Sequence, residues 1–143
     1  MSNNQLGLGG HGGVHQLHGL SNLKSLNLSS NLFDSITLSP LYEGLRELVL
    51  SNNHFSGNIP NDILKLKNLT LLDLAANNLS GSIPDGIGEL SKLENLRLSY
   101  NLLTGEIPAG ITKYIKILDL SHNMLTGGSH LTSSPLLHFF LLI

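Results

Sequence analysis

The chain has 143 residues, 41% of them hydrophobic and 13% charged, with a net charge of −2 and no cysteine. That length suits one domain, and the charged fraction is about half the roughly 25% usual in globular proteins. The slightly acidic balance offers no basic patch for a phosphate backbone, so no nucleic acid is expected as a partner, and the lack of cysteine excludes disulfides and thiolate metal sites.

Residues 1–16 read as a partial repeat followed by a Gly/His-rich insertion. Asn3-Asn4-Gln5-Leu6 matches the Asn-x-Leu half of a unit that recurs downstream. The start has no basic stretch leading into an apolar run, so it is not a secretory signal. Gly7-Leu8-Gly9-Gly10-His11-Gly12 satisfies G-x-G-x-x-G, but a phosphate loop needs a strand before it and a fitting element after it, and neither is expected here. His11, His15 and His18 have helical spacing, yet the preceding glycines disfavour a helix and no acid or cysteine completes a ligand set. Neither a metal nor a cofactor is expected.

From residue 17 to 128 one pattern returns five times: Leu-x-Leu-x-x-Asn-x-(Leu/Phe). It runs from Leu26, Leu48, Leu72, Leu96 and Leu118, and its asparagines are Asn31, Asn53, Asn77, Asn101 and Asn123, spaced by 22, 24, 24 and 22 residues. A period of two puts both leucines of a Leu-x-Leu on one face of a short strand. Since no single unit can bury its leucines alone, neighbouring units stack. The expected architecture is an α/β solenoid: a right-handed superhelix of about five full leucine-rich repeats, with one parallel β-sheet on the concave face. The asparagine amides are expected to bond the backbone of adjacent coils.

Residues 129–143 read as a degenerate or truncated repeat. The apolar run at 136–143 is eight residues long and contains His138, far short of the ~20 needed to span a bilayer, so no membrane segment is expected. Neither end carries a polar capping unit, and the chain reads as a piece of a longer array.

Three units continue as Phe55-Ser56-Gly57-Asn58-Ile59-Pro60, Leu79-Ser80-Gly81-Ser82-Ile83-Pro84 and Leu103-Thr104-Gly105-Glu106-Ile107-Pro108. This Leu-x-Gly-x-Ile-Pro tail resembles the plant-type leucine-rich repeat of receptor-like kinases, receptor-like proteins and polygalacturonase inhibitors. The unit after Phe33 lacks the Gly and the Ile-Pro, and after Leu125 Ser129 and His130 replace Ile-Pro. Nothing in the chain reads as the family's cysteine-paired caps, membrane helix or kinase domain. The resemblance implies a non-enzymatic module that binds a peptide or protein ligand, or a co-receptor, outside the cell or at the plasma membrane. The alternatives are an inhibitor-like defence protein and a truncated product with no function of its own.

Strand residues alternating with the leucines would line the binding face. Three columns are expected there: Ser25, Glu47, Leu71, Asn95, Ile117; then Asn27, Val49, Asp73, Arg97, Asp119; then Ser29, Ser51, Ala75, Ser99, Ser121. The candidate binding residues are Glu47, Val49, Leu71, Asp73, Asn95, Arg97, Ile117 and Asp119, with Tyr100 and His122 at the rim. Arg97 between Asp73 and Asp119 reads either as an ion-pair ladder or as a charged recognition strip beside apolar neighbours. The sequons at Asn27, Asn68 and Asn78 would accept N-glycans in the secretory pathway. The recurring acids suit a stacked ladder better than a catalytic cleft.

Overall fold

The computed structural model describes residues 22–35, 44–127 and 131. The Gly-rich motif, the three spaced histidines, Leu17, Leu20 and the apolar run at 136–143 lie outside the described residues.

Five three-residue strands form one parallel sheet: β1 (Ser25–Asn27), β2 (Glu47–Val49), β4 (Leu71–Asp73), β6 (Asn95–Arg97) and β8 (Ile117–Asp119). The pairing is in strict register, with Leu26, Leu48, Leu72, Leu96 and Leu118 each opposite the next. From β2 onward these leucines are fully buried. Two residues on, Leu28, Leu50, Leu74, Leu98 and Leu120 make a second buried column. One coil thus supplies the dry wall for the next, as parallel strands at about 4.8 Å spacing allow.

The turn leaving each strand is built alike. Ser30, Asn52, Ala76, Tyr100 and His122 all adopt a left-handed backbone, with φ between 53° and 56°. The asparagine that follows is turned back under the strand. Asn77 Nδ2 donates to Leu74 O and Ala75 O in its own coil and to Leu50 O in the preceding one, at 3.1–3.2 Å, while its Oδ1 accepts the Phe55 N–H at 3.1 Å. Asn53, Asn101 and Asn123 repeat this cross-coil pattern. Backbone groups that would otherwise be buried without partners are satisfied by one side chain per coil.

Beyond the expected sheet, the structure has a second one. β3 (Ser56–Asn58), β5 (Asn78–Gly81), β7 (Leu102–Glu106) and β9 (Met124–Thr126) pair in that order. They carry the Leu-x-Gly stretch, whose glycines bend the chain: Gly81 has φ +72°, and a Cβ there would collide with Asn58 Oδ1. The Ile-Pro step then turns the chain into 3₁₀ helices at Asn61–Lys65 and Asp85–Glu89. Pro60 and Pro84 stand at their N-caps, where a fixed φ and a missing N–H cost little. The helical part of the coil is therefore 3₁₀, and no α-helix occurs among the described residues. Ile59, Ile83 and Ile107, with Ile63, Ile87 and Ile111, close the core from this side.

Candidate functional site

The open face of the five-stranded sheet carries the first two expected columns. The register stacks Ser25, Glu47, Leu71, Asn95 and Ile117, and beside them Asn27, Val49, Asp73, Arg97 and Asp119. Ile117 is 44% exposed, while Leu71, Val49 and Asn95 are half-buried. At the edge strand, Ser25 Oγ donates to Glu47 Oε2 at 2.8 Å.

The third column departs from expectation. Ser51, Ser99 and Ser121 are buried rather than exposed. They sit where the chain already curls toward the asparagine, so two-residue alternation no longer applies and small hydroxyl side chains fill the narrow turn.

Asp73 and Asp119 are also engaged differently from a simple ion-pair ladder. Asp73 Oδ1 accepts the Ala75 N–H at 3.0 Å. Asp119 Oδ1 accepts the Ser121 N–H at 3.1 Å and the Ser121 hydroxyl at 2.7 Å. Asn27 makes the same contacts to Ser29. These are Asx turns that close the strand exit. Partial burial works to raise the Asp119 pKa, but hydrogen bonds from Ser121 and Ser99 and the Arg97 charge outweigh it and hold the carboxyl below the usual aspartate value. Arg97 forms no ion pair among the described residues. It is exposed, with its guanidinium donors uncommitted, beside two carboxylates already serving the backbone.

At the strand exit the Tyr100 and His122 rings stack, with centroids 4.0 Å apart and planes 17° from parallel. Tyr100 is 58% exposed. Two further exposed side chains border this rim and escaped sequence reasoning: Leu102 and Met124, the first residues of β7 and β9. The available signal was their place in Asn-x-Leu, where the middle residue faces outward and a polar side chain would serve equally well.

Of the three sequon asparagines, Asn27 and Asn78 are exposed, while Asn68 is half-buried and accepts from Lys92 Nζ at 2.6 Å. Among the described residues no three His, Asp or Glu converge on a metal site, and no helix is long and apolar enough to cross a membrane.

Two signatures described as leucine rich repeat match the chain, one at residues 43–103 and the other at 22–43 and 114–137. The chain belongs to the leucine-rich repeat family. A probable leucine-rich repeat receptor-like serine/threonine-protein kinase of Arabidopsis thaliana is 42% identical over 62 residues, which are 43% of this chain and 8% of that protein. The kinase of its name lies in another region of that protein. The structure of PEPR1–AtPEP1 superposes with a TM-score of 0.78 at 37% identity, over 85% of this chain and 18% of the other. The Arabidopsis receptor kinase HAESA, in complex with the peptide hormone IDA and the co-receptor SERK1, superposes with a TM-score of 0.72 at 34% identity, over 85% and 22%. The chain therefore spans a small part of each of these relatives, and its fold is that of plant receptor-kinase ectodomains, a typically non-enzymatic one.

Proposed function

We propose that this chain is a peptide- or protein-binding module of the receptor-like-kinase ectodomain type, with its recognition surface on the open face of the five-stranded sheet. The observation that carries the reading is the uncommitted Arg97 guanidinium, one strand from exposed Ile117 and three residues from the Tyr100–His122 stack. An unpaired arginine beside aromatic and aliphatic side chains is the composition of binding hot spots. Glu47, Val49, Leu71, Asp73, Asn95 and Asp119 complete the surface. The likeness to HAESA, seen with a peptide hormone and a co-receptor, supports a peptide or protein ligand and a place outside the cell or at the plasma membrane. In that setting Asn27, Asn68 and Asn78 are the glycan acceptors, residues 17–128 are the repeat domain, and 1–16 and 129–143 flank it.

The test is selection of peptides on the full chain from a random display library, followed by titration of the enriched peptide against two variants. Arg97→Ala removes the guanidinium. Tyr100→Asn removes the ring while keeping the fold, because Asn52 already holds the same backbone conformation at φ 56°. Each variant is expected to weaken binding by roughly tenfold or more, as truncated hot spots do. Enriched peptides that bind both variants as tightly as the parent sink the reading.

A further inference from the structure

The column of left-handed residues at the strand exits is uneven. Along the solenoid it reads Ser30, Asn52, Ala76, Tyr100 and His122, all with φ between 53° and 56°. Backbone bonds fix the order: Asn52 N–H donates to Ala75 O, Ala76 N–H to Ser99 O and Tyr100 N–H to Ser121 O, at 2.9–3.0 Å. This conformation is unfavourable for most side chains, and asparagine tolerates it best. A tyrosine there whose ring stays 58% exposed offsets little of that cost by burial, so stability does not account for it.

The Tyr100 ring has one face covered and one open. His122, in the next coil, stacks on it at 4.0 Å with planes 17° apart. The opposite face therefore looks toward the preceding coil, where the column holds only the methyl group of Ala76. Beyond it stands exposed Asn52. Parallel strands lie about 4.8 Å apart, so Asn52 and Tyr100, two coils apart, are separated by roughly 9–10 Å. A planar group seated at about 3.5 Å from each of two surfaces needs about 7 Å between them. The step at Ala76 is thus a slot one planar group wide.

A carboxylate is drawn to its mouth. Asp73 lies three residues before Ala76, and its Oδ1 accepts the Ala75 N–H at 3.0 Å, which leans the group toward the strand exit. Asp119, the equivalent residue two coils on, accepts both the Ser121 N–H and the Ser121 hydroxyl. In the coil of Asp73 that serine is Ala75, so Asp73 keeps the acceptor capacity that Asp119 uses on a hydroxyl. Paired alanines stand at these two positions in no other of the five units. One leaves the carboxylate open and the other bares the ring. Asp73 forms no ion pair among the described residues.

We propose that this slot takes an arginine side chain of the bound peptide, its guanidinium stacked on the open face of Tyr100 and donating to Asp73. The proposal rests on the reading of the open face as a peptide surface and names one residue of the ligand. A guanidinium is planar, and it stacks on an aromatic face while its N–H groups reach a carboxylate in its own plane. An ammonium is compact and strongly hydrated and leaves the slot half filled. An aromatic ring fills the slot but offers Asp73 no donor. Arg97, opposite Asp73 in the next strand, remains for an anionic group of the same peptide.

The experiment is two-dimensional NMR of the full chain, titrated with an alanine pentapeptide amide carrying arginine at its centre and with its lysine and citrulline counterparts. Saturable shifts at the Tyr100 ring and at the Ala75 and Ala76 amides are expected with arginine. Affinity should be at least severalfold lower with lysine, which lacks the planar fork, and with citrulline, which lacks the charge. Two exchanges have precedents in neighbouring coils and keep the fold. Ala76→Asn fills the slot with the side chain that Asn52 already carries in the same conformation, and it should abolish saturation. Asp73→Asn keeps the turn, since Asn27 accepts the Ser29 N–H in the same way, and it should weaken arginine binding severalfold. Absence of saturable shifts, equal affinity for the lysine or citrulline peptide, or an Ala76→Asn chain that binds as tightly as the parent overturns the assignment. A library-selected peptide that loses affinity with Arg97→Ala but not with Ala76→Asn leaves the peptide surface standing and removes the slot alone.

Discussion

An asparagine side chain offers two N–H donors and one carbonyl acceptor on a short stem, and each interior coil uses all of them. Aspartate would supply no donors, and glutamine would carry the amide one methylene too far. Asn77 serves three carbonyls and one N–H across two coils. A buried polar group left without a partner costs about 1–3 kcal/mol. Asn77→Ala should therefore lower the melting midpoint by several degrees, at roughly 4 °C per kcal/mol for a chain just short of 150 residues. Asn31 is the internal control. Among the described residues its amide serves Leu28 O and Ser29 O alone, and its buried Oδ1 has no partner. Asn31→Ala should shift the midpoint clearly less, as followed by circular dichroism; equal shifts would show that the cross-coil bonds carry no stability. Arg97 shows what residue identity alone leaves open. Its flanking acids suggested pairing, but their oxygens are drawn to backbone N–H groups two residues on, and that depends on a turn geometry that residue spacing does not encode.

At the scale of elements, the first sheet was legible because its signal is local and repeated: period two within the strand, 22–24 residues between strands. The second sheet was not. Ser56-Gly57-Asn58 holds none of the β-branched or aromatic residues enriched in strands, and Gly and Asn are depleted there; the pairing comes from stacking equivalent bends, a property of neighbouring coils. The burial of Ser51, Ser99 and Ser121 was hidden for a related reason, since the left-handed residue after each serine breaks the alternation that placed them on the open face. The 3₁₀ segments yield an element-scale prediction. In Asp85–Glu89, a Cβ on Gly88 would stand 2.6 Å from Gly110 O and 2.8 Å from its carbonyl carbon, whereas one on Gly86 would meet the Leu64 Cδ1 at 2.9 Å. Backbone of the next coil cannot yield as a leucine tip can. Gly88→Ala should cost about 1–3 kcal/mol, in the range of overpacking, and Gly86→Ala much less. Urea denaturation of the two variants measures the difference, and matched midpoints would mean that coil-to-coil spacing is looser than the structure shows.

For the whole molecule, the distinctive property is that stability is a sum over neighbours along one axis rather than a feature of a single closed core. The coils of Asn53, Asn77 and Asn101 close with the same parts: a Leu-x-Leu strand, an asparagine, a Leu-x-Gly or Phe-x-Gly bend and a 3₁₀ or turn segment that returns the chain. Deleting residues 73–96 removes one whole period and joins Leu72 to Arg97, so that Leu72 and Leu98 again form a Leu-x-Leu pair and Asn101 takes the place of Asn77. Strand β2 then meets the joined strand with its register intact. That shortened chain should still fold, with a lower midpoint and a smaller denaturant slope in proportion to the surface it no longer buries. Deleting residues 73–84 removes half as many residues, but it takes Asn77, Leu79, Gly81 and Ile83 together. The remaining coil then has neither an amide for Leu50 O and the Phe55 N–H nor enough chain to reach the next strand. This smaller deletion should abolish cooperative unfolding in the coils around it. If the half-coil deletion proves the more stable of the two, coils are not the unit in which this protein is assembled.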